Sequence, residues 1–284
     1  MSQVQLSLLG TPIIKHDEHV LTFSTRKALA LLAYLAVEGG MHTRKALSEA
    51  FWPELDAEHG RAALRATLLE LRKLLERAHG PDEQPHLLVE RDTLALAQNS
   101  PLFLDLHLVE VASKQTAEAR AHESNTLVKG QFEQAMRMAR GPFLAGFTLR
   151  DSQFFDDWAR QQREYWHLRT QHLFESVSHL YEQAGEREQA IDVVTHWLRF
   201  DPLSEEGYRR QMRLRFALGD RVGALRAYAT CRAVLDDELQ IEPEPETMAL
   251  AKHLRHTTPF HPSPSRPPHP STRQESAHLL DSPL

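Results

Sequence analysis

Between Arg61 and Lys73 the chain carries four basic side chains, Arg61, Arg65, Arg72 and Lys73, against a single acid, Glu70. The stretch reads RAALRATLLELRKLLERA. Leu64, Leu68, Leu71 and Leu75 recur in it at spacings of four, three and four, the apolar seam of an amphipathic helix. With that seam turned inward, the cations point elsewhere. Arginine forks match guanine edges and phosphate oxygens, so a helix of this kind behind a short helix and a turn has the makings of a major-groove reader. A solvated surface helix carries the same pattern, and the surrounding elements have to decide between the two.

Other chemistry fails on inspection. The chain has 17 histidines, but none stands in a His-Glu-x-x-His arrangement. His16 and His19 flank a polar turn with no cysteine partner, and His167 and His172 are five apart, which puts them on different helical faces. Gly141 and Gly146 have the glycine spacing of a phosphate loop, yet Phe147-Thr148 stands where Lys-Ser/Thr is required. No Gly-x-Ser-x-Gly elbow and no Gly-x-Gly-x-x-Gly appear. Asp156-Asp157 and Asp236-Asp237-Glu238 read as solvated faces or caps. The lone Cys231, in a helical Ala-Tyr-Ala-Thr-Cys run, reads as a small packing residue. The expectation is therefore no catalytic set, no metal, no cofactor and no enzyme.

Several elements must position the basic helix. Val4, Leu6 and Leu8 alternate with polar residues as in a half-buried strand, and short strands follow around Ile13-Ile14 and Val20 to Phe23. Thr25 opens a helix with Leu29, Leu32 and Leu35 on one face, closed by Gly39-Gly40. Thr43 opens a short helix that Phe51-Trp52-Pro53 ends. Asp56 caps the basic helix, and Gly80-Pro81 stops it. Leu87 to Val89 and Leu94 to Leu96 then form a hairpin across Glu90-Arg91-Asp92-Thr93. A recognition helix followed at once by a hairpin is the winged-helix order. Arg91 at its tip can reach the minor groove or a phosphate. Its neighbours Glu90 and Asp92 equally suit an ordinary charged turn, and the residue types leave that choice open.

From Asp105 to about Arg255 the pattern is helical, with breaks expected at Gly130, Gly141-Pro142, Gly146, Gly185, Pro202 and Gly219. Gly185 and Gly219, Arg187 and Arg221, and Ala190 and Ala224 are each 34 residues apart, the tetratricopeptide period. Trp158, Trp166, Trp197 and Tyr208 read as inter-helix core rather than as a ligand groove. Residues 257–284 hold seven of the 16 prolines, with many Ser and His, and are expected to be a disordered tail. The expected units are a winged domain at 1–100, a helical repeat domain at 101–256 and the tail at 257–284.

The 284 residues carry 33 Lys+Arg and 39 Asp+Glu, a net charge of −6, so any nucleic-acid contact has to come from a local basic surface. The first hundred residues are themselves near neutral, with 11 Lys+Arg and 13 Asp+Glu. One cysteine excludes an internal disulfide framework. No apolar run approaches the roughly 20 residues of a membrane span, and the amino terminus lacks the pattern of a signal peptide. A cytoplasmic, membrane-free protein is the expectation.

Taken together, the chain resembles the Streptomyces antibiotic regulatory proteins, the SARP family of bacterial transcriptional activators. LSLLGTPII, TRKALALLAYLA, LSEAFWPELD, RAALRATLLELRKLL and LLVERDTLALA resemble that family's OmpR-type winged helix-turn-helix. LDLHLVE, ARGPFLAGF, DDWARQQREYWHLR and GDRVGALRAYATCRAVLDDELQIEPEPETMALAKHL resemble its bacterial transcriptional activator domain. Larger members carry a nucleotide-binding domain after the helical module, where this sequence has its proline-rich stretch.

The resemblance implies a mainly α protein, an α+β winged helix-turn-helix followed by an all-α tetratricopeptide-like repeat. It implies an activator that binds direct repeats of double-stranded DNA near promoters, associates with itself on DNA and contacts RNA polymerase. The expected DNA-binding residues are Arg61, Arg65, Leu69, Arg72 and Lys73 on the basic helix, Thr43 and Arg44 at the start of the short helix, and Arg91 on the wing. The rival reading is a helical scaffold for a protein partner whose winged domain no longer binds DNA.

Overall fold

The structure is a computed structural model that describes residues 4–17, 19–76, 86–97, 102–119 and 126–257. The expected helix stop at Gly80-Pro81 and the proline-rich residues 258–284 lie outside the described residues.

The alternating apolar residues at the start do form a strand, β1 (Val4–Ser7). It runs antiparallel to β2 (Ile13–His16), with Val4 opposite His16, and β2 pairs in turn with β3 (His19–Leu21). Helix α1 (Arg26–Glu38) begins where the Thr25 hydroxyl accepts the Ala28 N–H, and Gly39, at φ +59, closes it. After β4 (His42–Thr43), Thr43 caps α2 (Arg44–Phe51) by the same device, accepting from Ala46. Asp56 opens α3 (Ala57–Glu76) by accepting the N–H groups of Glu58 and His59. These are the side-chain oxygens that helix starts require. Leu64, Leu68, Leu71 and Leu75 are all buried, so the seam of α3 packs inward as its spacing demands. Strands β5 (Leu87–Val89) and β6 (Thr93–Leu96) make the hairpin, and β4 completes a three-stranded sheet in the order β4-β6-β5.

One strand is not evident from the sequence pattern. Leu102–Leu104 forms β7, which lies parallel to β1 and finishes a four-stranded sheet in the order β3-β2-β1-β7. That sheet draws on residues on both sides of position 100. Asp105, the next residue, opens α4 (Asp105–Ala119). Its buried carboxylate accepts the Leu8 N–H at 2.8 Å and the Leu9 N–H at 2.8 Å.

Gly130 does not break the helical pattern. It lies inside α5 (Thr126–Met138), open to solvent on the side a Cβ would occupy, so a glycine is tolerated there without ending the helix. The helical repeat is α6 (Gln153–Gln183), α7 (Arg187–Phe200), α8 (Glu205–Ala217), α9 (Arg221–Leu239) and α10 (Pro245–His256). Gly185 and Gly219 take nearly the same left-handed turn, φ +79 and +82, where L side chains are strained. Ala190 and Ala224 are both fully buried. The 34-residue register thus repeats in three dimensions. Trp158, Trp166, Trp197 and Tyr208 are buried core. Two adjacent arginines of α8 tie the helices together: Arg209 reaches Glu206, Glu244 and Thr247, while Arg210 reaches Ser178 and Glu182.

The winged and helical parts share one hydrophobic core, which runs from Val4 through Leu64 and Phe155 to Trp197. Backbone hydrogen bonds join them as well. Gly10 donates to the Pro142 carbonyl at 3.0 Å, and Leu144 donates to the Leu8 carbonyl at 2.8 Å. Gly10 has φ +104 there, and a Cβ on it would sit 3.1 Å from the Arg140 Cβ, so the close approach needs glycine. Trp158 Nε1 donates to Glu38 at 2.6 Å, fixing α6 to the end of α1. The architecture is mainly α, a winged helix-turn-helix built into a tetratricopeptide-like repeat.

Candidate nucleic-acid interface

At 3.6 residues per turn, Arg61, Arg65, Leu69, Arg72 and Lys73 fall within about 120° of arc on α3. All five are exposed. None of the four cations makes a side-chain hydrogen bond or ion pair with any described residue, although acceptors are plentiful elsewhere on the chain. Leu69 stands among them 55% exposed. A single exposed leucine is ordinary on a surface, and between arginines it suits contact with a thymine methyl group. Ala62 and Ala66, also exposed, keep the face low between the long side chains.

The acids near this face are mostly occupied. Glu70 turns away and accepts the Ser24 N–H at 2.5 Å. Asp56 is held below the usual carboxylate range by hydrogen bonds from the His59 N–H and ring, and it spends its oxygens on the helix start. Glu58 remains exposed in the first turn, where the positive end of the helix dipole suits it.

The expected contacts outside α3 have different surroundings. The Thr43 hydroxyl is engaged in capping α2, and its residue also pairs with Thr93 across β4 and β6. Arg44 is half-buried. Its N–H donates to the Asp92 carbonyl at 2.9 Å, and its guanidinium lies 3.5 Å from the Glu90 carbonyl, so it braces the wing turn against α2. Arg91 is exposed at the tip without a side-chain partner among the described residues. The Glu90 carboxylate beside it accepts from the Thr93 hydroxyl at 2.9 Å. The fold therefore gathers the α3 set on one face and places Arg91 on the wing, while Thr43 and Arg44 are held by local structure.

One flank of α3 borders a cleft of about 910 Å³ that the sequence pattern did not reveal. Ala63, Ala66 and Thr67 line it from α3, Thr25, Arg26, Lys27 and Trp52 line it from the rest of the winged part, and the Gly146 to Asp151 loop lines it from the helical part. Its lining runs from Thr25 to Asp151, and the Arg26 to Thr148 bond across it spans 122 positions, so no local spacing could have announced it.

The sequence model of the bacterial transcriptional activator domain matches residues 104–255, just over half of the chain. The chain belongs to the bacterial transcriptional activator domain family. Within that family its arrangement of winged helix and helical repeat is that of the SARP regulators. It is 25% identical over 252 residues to the regulatory protein AfsR of Streptomyces griseus, covering 88% of this chain and 24% of that protein. To AfsR of Streptomyces coelicolor it is 26% identical over 261 residues, covering 90% of this chain and 24% of that protein. The chain thus spans about a quarter of the length of these relatives. Among solved structures it is similar to Mycobacterium tuberculosis EmbR, determined in complex with a low-affinity phosphopeptide. The TM-score is 0.58 at 25% identity, over 92% of this chain and 67% of that one. Among the described residues of this family member, no helix is long and apolar enough to cross a membrane.

Proposed function

We propose that this transcriptional activator family member binds duplex DNA sequence-specifically, with the exposed face of α3 in the major groove. The observation that carries the reading is the set of four exposed cations, unpaired among the described residues and flanking the exposed Leu69, on the second helix of a helix-turn-helix. Unpaired arginines on a rigid helix hold their forks ready for base edges and phosphates with little competition from nearby carboxylates. The activity is regulatory rather than enzymatic, and it is exercised in the cytoplasm.

Family membership supports the finer reading of an activator that binds direct repeats near promoters, associates with itself on DNA and contacts RNA polymerase. A winged unit within 1–100 reads the DNA, and the helical repeat within 101–256 serves assembly and partner contact. The acidic total charge and the exposed Glu90 and Asp92 at the wing tip favour the scaffold alternative. Selection of bound duplexes from a random pool by the full chain separates the two. Enrichment of a repeated motif supports the activator, and recovery of no duplex even at low salt supports the scaffold.

A further inference from the structure

The cleft beside α3 is the strongest feature of the molecule that the reading above does not use. Its lining residues include three cations, Arg26, Lys27 and Arg150, against one carboxylate, Asp151, in a chain whose total charge is negative. Lys27 is shared between two carboxylates, Nζ lying 2.8 Å from Asp151 and 2.9 Å from Glu54, over the Trp52 ring, so the surplus positive charge of the cleft rests on Arg26 and Arg150. Arg26 donates through Nε and Nη2 to the Thr148 carbonyl and stacks over the Phe147 ring at 4.5 Å. Arg150 has no side-chain partner among the described residues and is exposed.

The loop that carries Arg150 is braced on both sides. The Thr148 carbonyl is held by Arg26, and the buried Leu149 donates its N–H to Asp156 at 2.8 Å. Asp151 is held by Lys27, and the Ser152 hydroxyl donates to the Ala50 carbonyl at 2.8 Å while also capping α6. The braced loop fixes where the Arg150 Cα sits, and its guanidinium, unpartnered among the described residues, is free to take up an anion within reach of that point. Arg150 belongs to the helical part, yet it lines the same cleft as Ala66, which borders the reading face of α3.

We propose that this cleft seats the phosphate backbone of the duplex whose major groove α3 enters, with Arg150 as a phosphate contact supplied by the helical module. The inference rests on the DNA reading of α3 and extends it: the activator domain touches DNA directly instead of acting only through partners. A phosphate contact positions the protein without reading sequence. Its loss weakens binding to all duplexes alike and lowers the salt slope by about 0.9. At 0.1 M salt, one such counterion release corresponds to roughly an eightfold change in affinity.

The test is a salt titration of the full chain on a selected duplex and on an unrelated duplex, for wild type, Arg150→Ala, Arg150→Lys and Arg232→Ala. Arg232 is an exposed arginine of α9 without a described partner, and its replacement removes the same charge from the helical repeat. The expected result is a roughly eightfold loss on both duplexes and a slope lower by about one for Arg150→Ala, with the slope restored by lysine and unmoved by Arg232→Ala. Wild-type binding with Arg150→Ala indistinguishable from it, or from Arg232→Ala, overturns the phosphate seat and leaves the α3 reading intact. A loss confined to the selected duplex overturns it also, since it makes Arg150 a base reader. Absence of wild-type binding to either duplex at low salt overturns both.

Discussion

Asp105 joins the two parts of the molecule through a buried charge, and its titration should be visible in stability. The carboxylate is fully buried and accepts the N–H groups of Leu8 and Leu9. Burial pushes its pKa from an ordinary 3.8 up to about 6, against the opposing pull of those hydrogen bonds and of Arg140. A carboxyl group with a raised folded-state pKa binds its proton more tightly in the folded protein. Its stabilisation is fully present below about pH 4 and is lost as pH rises through 6. A rise from 3.8 to about 6 corresponds to about 3 kcal/mol. Asp105→Asn keeps the shape and one acceptor but removes the titration. Urea denaturation at pH 4 and at pH 7 checks this, with the difference between wild type and Asp105→Asn as the readout, so that other titrating groups cancel. Wild type should gain up to about 3 kcal/mol relative to the variant on acidification. A flat difference would show that the hydrogen bonds cancel burial, and a wild type that loses ground as pH falls would show that they outweigh it; either result contradicts the raised pKa.

Three further outcomes follow from packing and capping. Ala190→Leu and Ala224→Leu should each destabilise by about 1–3 kcal/mol, because both alanines are fully buried in close-packed core; unchanged thermal midpoints for both would contradict the repeat register. Thr43→Ala should cost about 0.5–2 kcal/mol in stability through the lost α2 cap, while the duplex affinity of the folded variant stays the same, and a loss of affinity in the folded variant would make Thr43 a DNA contact. Cys231 is buried, and burial pushes its thiol up to about 12. It should therefore resist a thiol reagent at pH 8 until the chain is unfolded, and rapid labelling of the native protein would count against its placement.

What could be read from the sequence was local. Thr25, Thr43 and Asp56 cap the helices that their spacing suggested, and the leucine seam of α3 is buried because a four-three-four spacing lines one face. The 34-residue repeat was legible because each copy brings its own turn glycine and small alanine. Gly130 misled because glycine lowers helix propensity by only about 1 kcal/mol relative to alanine, too little to end a helix by itself. The strand Leu102–Leu104 was missed because its partner is β1, nearly a hundred residues earlier, and three residues before a helix carry no periodicity of their own. The cleft with Arg150 was invisible for the same reason, since the Arg26 to Thr148 bond that shapes it spans 122 positions.

The proposed role of the exposed face of α3 is contact with DNA. The most direct measurement is the salt dependence of duplex binding by the full chain in which Arg61, Arg65, Arg72 and Lys73 are all replaced by alanine. Alanine is the best helix former and these positions are exposed, so circular dichroism should show the helix intact. If α3 enters the groove, preference for the selected duplex disappears and the salt slope falls by about 0.9 for each phosphate contact among the four. A folded variant that keeps both the wild-type slope and the wild-type preference would contradict that role.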